Sequence, residues 1–341
     1  DEVHGGVTVH RFRSRSGRDP AFGALGSRIL GHPELASRED QLAWIDLQGP
    51  VCPDAIDAVV ASDADLVVAT PYLYHSTVHG VPRVAERVVM QPAAHDEPEI
   101  RLPIFRDVFE SARGFAWYSD AERRLVQRLF PVGERPQEVI GLGIDEAPAG
   151  SVTPATVEAF RSRAGLGDRP YLLCLGRVDD TKGAGALARM FAAAKDATPG
   201  PLALVFVGPV IHQPLEHPDV VVTGPVDEAS KWAALGGCLA LVSPSAFESF
   251  SLVVMEAWSL GRPVLVNGLC ETTSDHVRTS GGGLCFDGYA SFEATVSRLA
   301  ADTRLRAHLG GRGFRHVEEG FRWPRVTERY RRFLEGVAER C

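Results

Sequence analysis

The stretch CLALVSPSAFESFSLVVMEAWSLGRPVLVNG, residues 238–268, decides the fold. CLALVS reads as a buried strand, and Pro244, with no amide hydrogen to give to a ladder, ends it. A Ser-Phe-Ser turn follows, and Ser249 or Ser251 can cap a helix running through Leu252 to Leu260. PVLVNG is then the next strand. This order puts backbone N–H groups of Phe250, Ser251 and Leu252 at a helix start, outside the carboxyl end of a strand. Phosphates and nucleotides bind there in open α/β sheets. Glu248 falls in the turn and Glu256 about one turn into the helix. Glu256 is expected to accept two hydrogen bonds from a ribose diol, and Glu248 to reach a second polyol beyond the phosphates.

Working outward, YLLCLG (171–176), LALVFVG (202–208) and VVVTG (220–224) read as further buried strands. Helices are expected at 183–195, 227–235 and 292–300, which makes the second half a parallel sheet with crossover helices. The first half repeats the theme with strands at VTVHRF (7–12), DLVVAT (65–70), RVVMQP (87–92), GFAWYS (114–119) and EVIGLG (138–143). Its helices are expected at 53–61, 104–112 and 120–130. At 341 residues the chain fits two α/β domains, with the boundary in the Gly/Pro/Ala-rich segment 143–155. The chain ends in a helix opened by Pro324 with Val326, Tyr330, Phe333, Leu334 and Val337 on one face.

A second strand-to-helix loop, LGRVDDTKG (175–183), carries Arg177 and Lys182, and Lys182 is one of three lysines among 36 basic residues. A guanidinium that binds bidentately beside a compact ammonium suits a diphosphate. The loop is not a Walker loop, since GxxxxGK[ST] is absent. Alone, each of these charges reads as solvated; together, on two loops of one sheet, they read as a nucleoside-diphosphate site.

The net charge of −8, of which −7 lies in residues 1–145, speaks against a nucleic-acid partner. The basic run HRFRSRSGR (10–18) reads as a solvated loop, with an anionic acceptor or peripheral contact with a membrane surface as the alternative. No run approaches the ~20 apolar residues of a membrane span and DEVHGG is no signal pattern, so the chain reads as cytoplasmic. Six cysteines without a CxxC read as reduced thiols. His75 and His79, four apart in HSTVH, lack the glutamate of HExxH and are given a polar or core role. Tyr72 and Tyr74 read as acceptor contacts or as packing. A dehydrogenase is disfavoured, because GLGIDE (141–146) has Glu146 where GxGxxG requires glycine or alanine.

These pieces resemble the retaining GT-B glycosyltransferases of family 4. The resemblance rests on LGRVDDTKG, VTGPVDEASKWAAL (222–235), PSAFESFSLVVMEAWSLGRPVLV with its E-x7-E, SGGGLCFDG (280–288) and MQPAAHDEP (90–98). It implies two Rossmann-like domains facing across a cleft: an acceptor-binding domain at 1–145, a nucleotide-sugar domain at 146–320, and a helix at 321–341 crossing back to the first lobe. Carried over, Arg177 and Lys182 would hold the donor pyrophosphate, with Gly176 also in the donor site, and Glu256 would hold the ribose. Glu248 would lie by the donor sugar, amides of Phe250, Ser251 and Leu252 would line sugar and phosphates, and Val226 would lie against the base. His95 would enter from the opposite lobe toward the anomeric region. The implied catalytic set is His95, Arg177, Lys182 and Glu248.

The implied reaction moves a sugar from a UDP- or GDP-sugar to a small-molecule, glycan or lipid acceptor, with retention. No cofactor and no metal are implied, and no DxD triplet is present. A GT-B-like epimerase or phosphorylase, or a non-catalytic sugar-nucleotide binding protein, are the competing readings. Two departures stand out. The family often has glycine where this chain has Ser251, whose Cβ narrows the approach to the sugar phosphate. The family's opening βα unit has no counterpart, and in a Rossmann-like sheet its loss is expected to leave two neighbouring strands unpaired, at ~1–3 kcal/mol per buried orphan group. An upstream segment is therefore expected.

Overall fold

The computed structural model describes residues 1–340. It divides into two compact units: residues 1–140 with the segment from Arg329 onward, and Gly141–Glu328. The division falls just ahead of the Gly/Pro-rich segment.

In the first unit, β1 (Glu2–His4) and β2 (Val7–Val9) form an antiparallel hairpin. Four parallel strands follow in sequential order: β3 (Val67–Ala69), β4 (Val88–Met90), β5 (Gly114–Trp117) and β6 (Gln137–Val139). VTVHRF was expected to belong to a Rossmann-like sheet. It instead pairs within the hairpin, where Val3 and Val7 are exposed, because apolar alternation specifies a strand but not its partner. The expected cost of two unpaired neighbours is also not what the sheet shows. β3 to β6 are consecutive neighbours, so a single edge, at β3, lies open on the N-terminal side, and Val68 is exposed on it.

Val88 and Met90 in β4 and Phe115 and Trp117 in β5 are wholly buried in one cluster with Phe105, Phe109 and Tyr72. Helices Pro53–Ala61, Ile104–Ser111 and Asp120–Leu129 form where apolar residues recur at helical spacing. Helices Phe22–Ile29, Arg38–Gln48 and His75–Gly80 were not expected. Helix Trp323–Ala338 ends in this unit: Arg329 donates to the Ile140 carbonyl (2.5 Å) and Arg113 to that of Val337 (3.2 Å).

In the second unit, β7 (Tyr171–Leu175), β8 (Ala203–Val207), β9 (Val220–Val222), β10 (Ala240–Ser243), β11 (Val264–Asn267) and β12 (Gly283–Phe286) make one parallel sheet. Its order is β12-β11-β10-β7-β8-β9. The order reverses direction beside β7, so the loops after β7 and β10 open side by side at the carboxyl ends of adjacent strands. Residues of β8 and β10 are buried on both faces, as parallel strands under helices must be. Among the described residues no helix is long and apolar enough to cross a membrane, and Cys52, Cys174, Cys238, Cys270 and Cys285 are free thiols.

Candidate donor site

The loop after β7 folds around Asp179. Its carboxylate accepts from the Thr181 hydroxyl (2.7 Å) and the Lys182 amide (2.8 Å), and it pairs with Arg177. Burial raises the Asp179 pKa, but Thr181, Lys182 and Arg177 together outweigh it and hold the carboxyl below its ordinary value. A loop bearing two cations is thus pinned by one buried acid. Gly183 ends the loop at φ 77°, and a Cβ there would meet the Pro244 carbonyl at 2.7 Å, so only glycine lets this loop press against the one after β10.

The loop after β10 is held from the other side. Asn267 on β11 donates to the Pro244 carbonyl (2.9 Å), and Ser245 Oγ donates to the Phe247 carbonyl (3.0 Å). Phe250 is buried against His276 and Phe321, with ring centroids 5.3 and 5.4 Å away. The edge-on contact of the Phe250 and His276 rings ties the turn to helix Glu271–Ser280.

Ser251 occupies the N-cap of helix Leu252–Ser259, but it does not cap it as expected. Its backbone is left-handed (φ 73°, ψ 79°), which turns its hydroxyl away from the helix amides. Its Oγ is buried without a hydrogen-bond partner. Ser249, the other candidate, lines the cavity described next.

Between the two loops lies a cavity of about 330 Å³. Gly176, Arg177, Lys182, Glu248, Phe250, Ser251 and Leu252 all line it, so seven of the nine residues expected to bind donor come together. Val226 and Glu256 do not line it. Val226 sits half-buried just before helix Glu228–Gly237. Glu256 projects from helix Leu252–Ser259 to Lys231 (2.9 Å), which also pairs with Glu228. Against burial, these two acids raise the Lys231 pKa and keep its ammonium charged. Glu248 and Lys182, 66 residues apart in sequence, are themselves a pair at 2.8 Å. Cys174 is a neutral wall, its thiol pushed up to about 12 by burial.

In the first unit, His95 follows β4. Its Nδ1 lies 3.5 Å from Glu97 Oε2, while Glu97 Oε1 accepts from the Tyr72 hydroxyl (2.7 Å). The preceding Ala93–Ala94 turn, with Ala93 at φ 57°, is clamped by the buried Glu122, which accepts from the Ala94 amide at 2.6 Å. Tyr72 is wholly buried against Phe105 and Phe109, so it has no surface to offer an acceptor. Its apolar body won over its place at a strand end, and its hydroxyl braces Glu97. Tyr74 is partly exposed at the start of helix His75–Gly80. Asp179, Asn267 and His276 were missed as site residues; only Asp179, inside LGRVDDTKG, gave a signal.

A parallel sheet whose switch point opens onto a cationic loop and a helix N-terminus defines the class of α/β nucleotide-binding folds, and the two units together have the GT-B fold. Residues 169–302 match the glycosyl transferases group 1 family. A D-inositol 3-phosphate glycosyltransferase of Salinispora arenicola (strain CNS-205) is 31% identical over 73% of this chain and 61% of its own length. A GDP-mannose-dependent alpha-(1-6)-phosphatidylinositol monomannoside mannosyltransferase of Mycobacterium tuberculosis (strain CDC 1551 / Oshkosh) is 28% identical over 97% of this chain and 89% of its own. The solved structure of Anabaena Alr3699/HepE in complex with UDP aligns with a TM-score of 0.68 at 16% identity, over 95% of this chain and 98% of that one. The chain spans less than two thirds of the length of the inositol-phosphate glycosyltransferases it first matches.

Proposed function

We propose that the chain is a retaining glycosyltransferase of family 4 that moves a sugar from a nucleoside-diphosphate sugar to an acceptor hydroxyl without a catalytic metal. The observation that carries this is the cavity in which Arg177, Lys182 and the first residues of helix Leu252–Ser259 converge at the carboxyl ends of β7 and β10. In the transfer, the bond from the anomeric carbon to the phosphate oxygen breaks, the diphosphate leaves with its electron pair, and the acceptor oxygen bonds the anomeric carbon as its proton passes to the leaving phosphate oxygen. Negative charge grows on the leaving diphosphate, and prearranged cations and helix amides stabilise it most where water is excluded. Two cations on one loop and a helix N-terminus can do the work of a divalent ion.

Glu248 has two roles in this reading. In the free protein it holds Lys182 in the cavity; with donor bound, Lys182 shifts to phosphate and Glu248 accepts from sugar hydroxyls. Glu256 and Val226 are assigned to ribose and base, next to the phosphate cavity rather than within it. His95, oriented by Glu97, is the proposed catalytic residue of the first unit. UDP and GDP are the leading donors, supported by the UDP complex of Alr3699/HepE and the GDP-mannose dependence in the mycobacterial relative's name. Inositol-containing acceptors come first in a screen because the relatives' names carry them.

A thermal-shift panel of UDP, GDP, ADP and dTDP, followed by product analysis with the matching sugar nucleotides, tests the reading. A one-site ligand at 100 times its dissociation constant adds ~2.7 kcal/mol of stability. Stabilisation by none of the four contradicts a donor site; stabilisation without transfer to any acceptor favours a binding protein; a product with the donor's own anomeric configuration reports retention, and one with the opposite configuration inversion.

A further inference from the structure

Helices Arg38–Gln48 and His75–Gly80 bring Asp46, His75 and His79 to one point in the first unit. The two imidazoles stand one helical turn apart with centroids at 4.5 Å. His75 Nε2 lies 3.8 Å and His79 Nε2 3.6 Å from the same Asp46 oxygen, Oδ1. One ligand atom from each of the three residues lies within 4.8 Å of the other two.

These separations are too long for hydrogen bonds. His79 Nε2 and His75 Nδ1 are buried and have no hydrogen-bond partner. A buried polar atom left open costs ~1–3 kcal/mol, and His79 Nε2 is such an atom lying toward Asp46 Oδ1. As a hydrogen-bonded cluster the arrangement is poor. As a ligand set it is nearly closed: donors ~2.0–2.1 Å from a tetrahedral ion stand roughly 3.4 Å apart. The Asp46 side chain, 55% exposed, has the freedom to make the remaining movement.

We propose that Asp46, His75 and His79 bind a single transition-metal ion of the Zn²⁺ class, with two imidazoles and one carboxylate as protein ligands and water in the open position. Two neutral imidazoles select Zn²⁺, Co²⁺, Ni²⁺ or Cu²⁺ over Mg²⁺ or Ca²⁺, which want oxygen. The missing glutamate of HSTVH removes the general base of an HExxH site but not its i, i+4 histidine pair. The ion would clip the helix carrying Asp46 to the short helix that follows Tyr74. It is independent of the donor reading, since none of its ligands lines the donor cavity.

The test uses untagged protein stripped with a chelator. Titration with Co²⁺ should give the visible d–d bands of tetrahedral coordination, saturating at one equivalent, and native mass spectrometry should find one Zn²⁺. His79→Gln and Asp46→Asn should each raise the Zn²⁺ dissociation constant by at least about 10-fold with an unchanged circular dichroism spectrum. Failure of the wild type to take up one equivalent at micromolar free ion, or equal affinity in both folded variants, overturns the proposal. Should a variant not fold, the wild-type Co²⁺ spectrum alone still decides.

Discussion

Replacing Ser251 with glycine should make the protein more stable and its nucleotide site weaker. The residue holds a left-handed backbone, φ 73° and ψ 79°, which costs an L-residue ~1–2 kcal/mol. Its hydroxyl is buried without a partner, which costs a further ~1–3 kcal/mol. Glycine relieves both but loses ~0.5–1 kcal/mol more chain entropy on folding. The balance is a gain of about 1–4 kcal/mol, and each kcal/mol raises the melting temperature by ~2–4 °C in a unit of this size. Ser251→Ala separates the two causes, because it keeps the strained backbone and removes only the hydroxyl. If the open hydroxyl serves a donor oxygen, both variants should lose about 1 kcal/mol of affinity, ~5-fold, for the preferred nucleoside-diphosphate sugar. Urea unfolding of the three proteins, read at equal slopes, gives the stabilities, and calorimetry gives the affinities. A glycine variant no more stable than wild type would refute the strain argument; unchanged affinity in both would refute a ligand role for Oγ.

Three further outcomes follow from the same geometry. His95→Ala should cut turnover while leaving nucleotide affinity nearly unchanged, and equal loss of both would count against its assignment. Glu248→Gln should free Lys182 from its 2.8 Å partner, so diphosphate binding should hold or tighten while sugar transfer falls at least about 10-fold; weaker binding of the sugar-free diphosphate would contradict the two roles given to Glu248. His276 is held down to about 3 by burial, with the charge of His316 adding, against an ordinary 6.5. A depressed histidine binds fewer protons folded than unfolded, so its stabilisation is complete above pH 6.5 and is lost as pH falls toward 3. At ~1.4 kcal/mol per unit, acidifying from pH 7 to 5 should cost about 2 kcal/mol through this group, and His276→Leu should flatten that slope in urea titrations.

The second unit was legible because its strands are short β-branched runs closed by turn residues, as in LALVFVG and PVLVNG. β12 was not read as a strand because SGGGLCFDG carries three glycines ahead of its apolar run. Helix Glu271–Ser280 escaped notice because ETTSDHVRTS has no apolar stripe; Val277 is the one apolar residue it buries, beside Thr272, Thr273, Ser274, His276 and Ser280. In the first unit, helix Arg38–Gln48 buries Gln41 and Gln48 alongside Trp44 and Ile45, so its periodicity is blurred. Arg177, Lys182 and Glu248 were legible as a set, since each sits on a strand-to-helix loop. That Lys182 pairs with Glu248 and Glu256 with Lys231 was not, because those partners meet only once the sheet is formed. The family's glycine at position 251 was the one sequence hint of backbone strain, and the left-handed Ser251 gives it a physical basis. Asp46 could not be joined to the HSTVH pair because it lies 29 residues upstream on another helix.

The central claim, a cationic cradle for a leaving diphosphate, is tested most directly by calorimetry. The tightest of UDP, GDP, ADP and dTDP is compared with its own monophosphate, in wild type and in the Arg177→Ala/Lys182→Ala double variant. Wild type should prefer the diphosphate by at least about 10-fold, and the double variant should lose most of that preference while binding the monophosphate with little change. Equal affinities for the two nucleotides in wild type, or a preference that survives removal of both cations, would contradict the account.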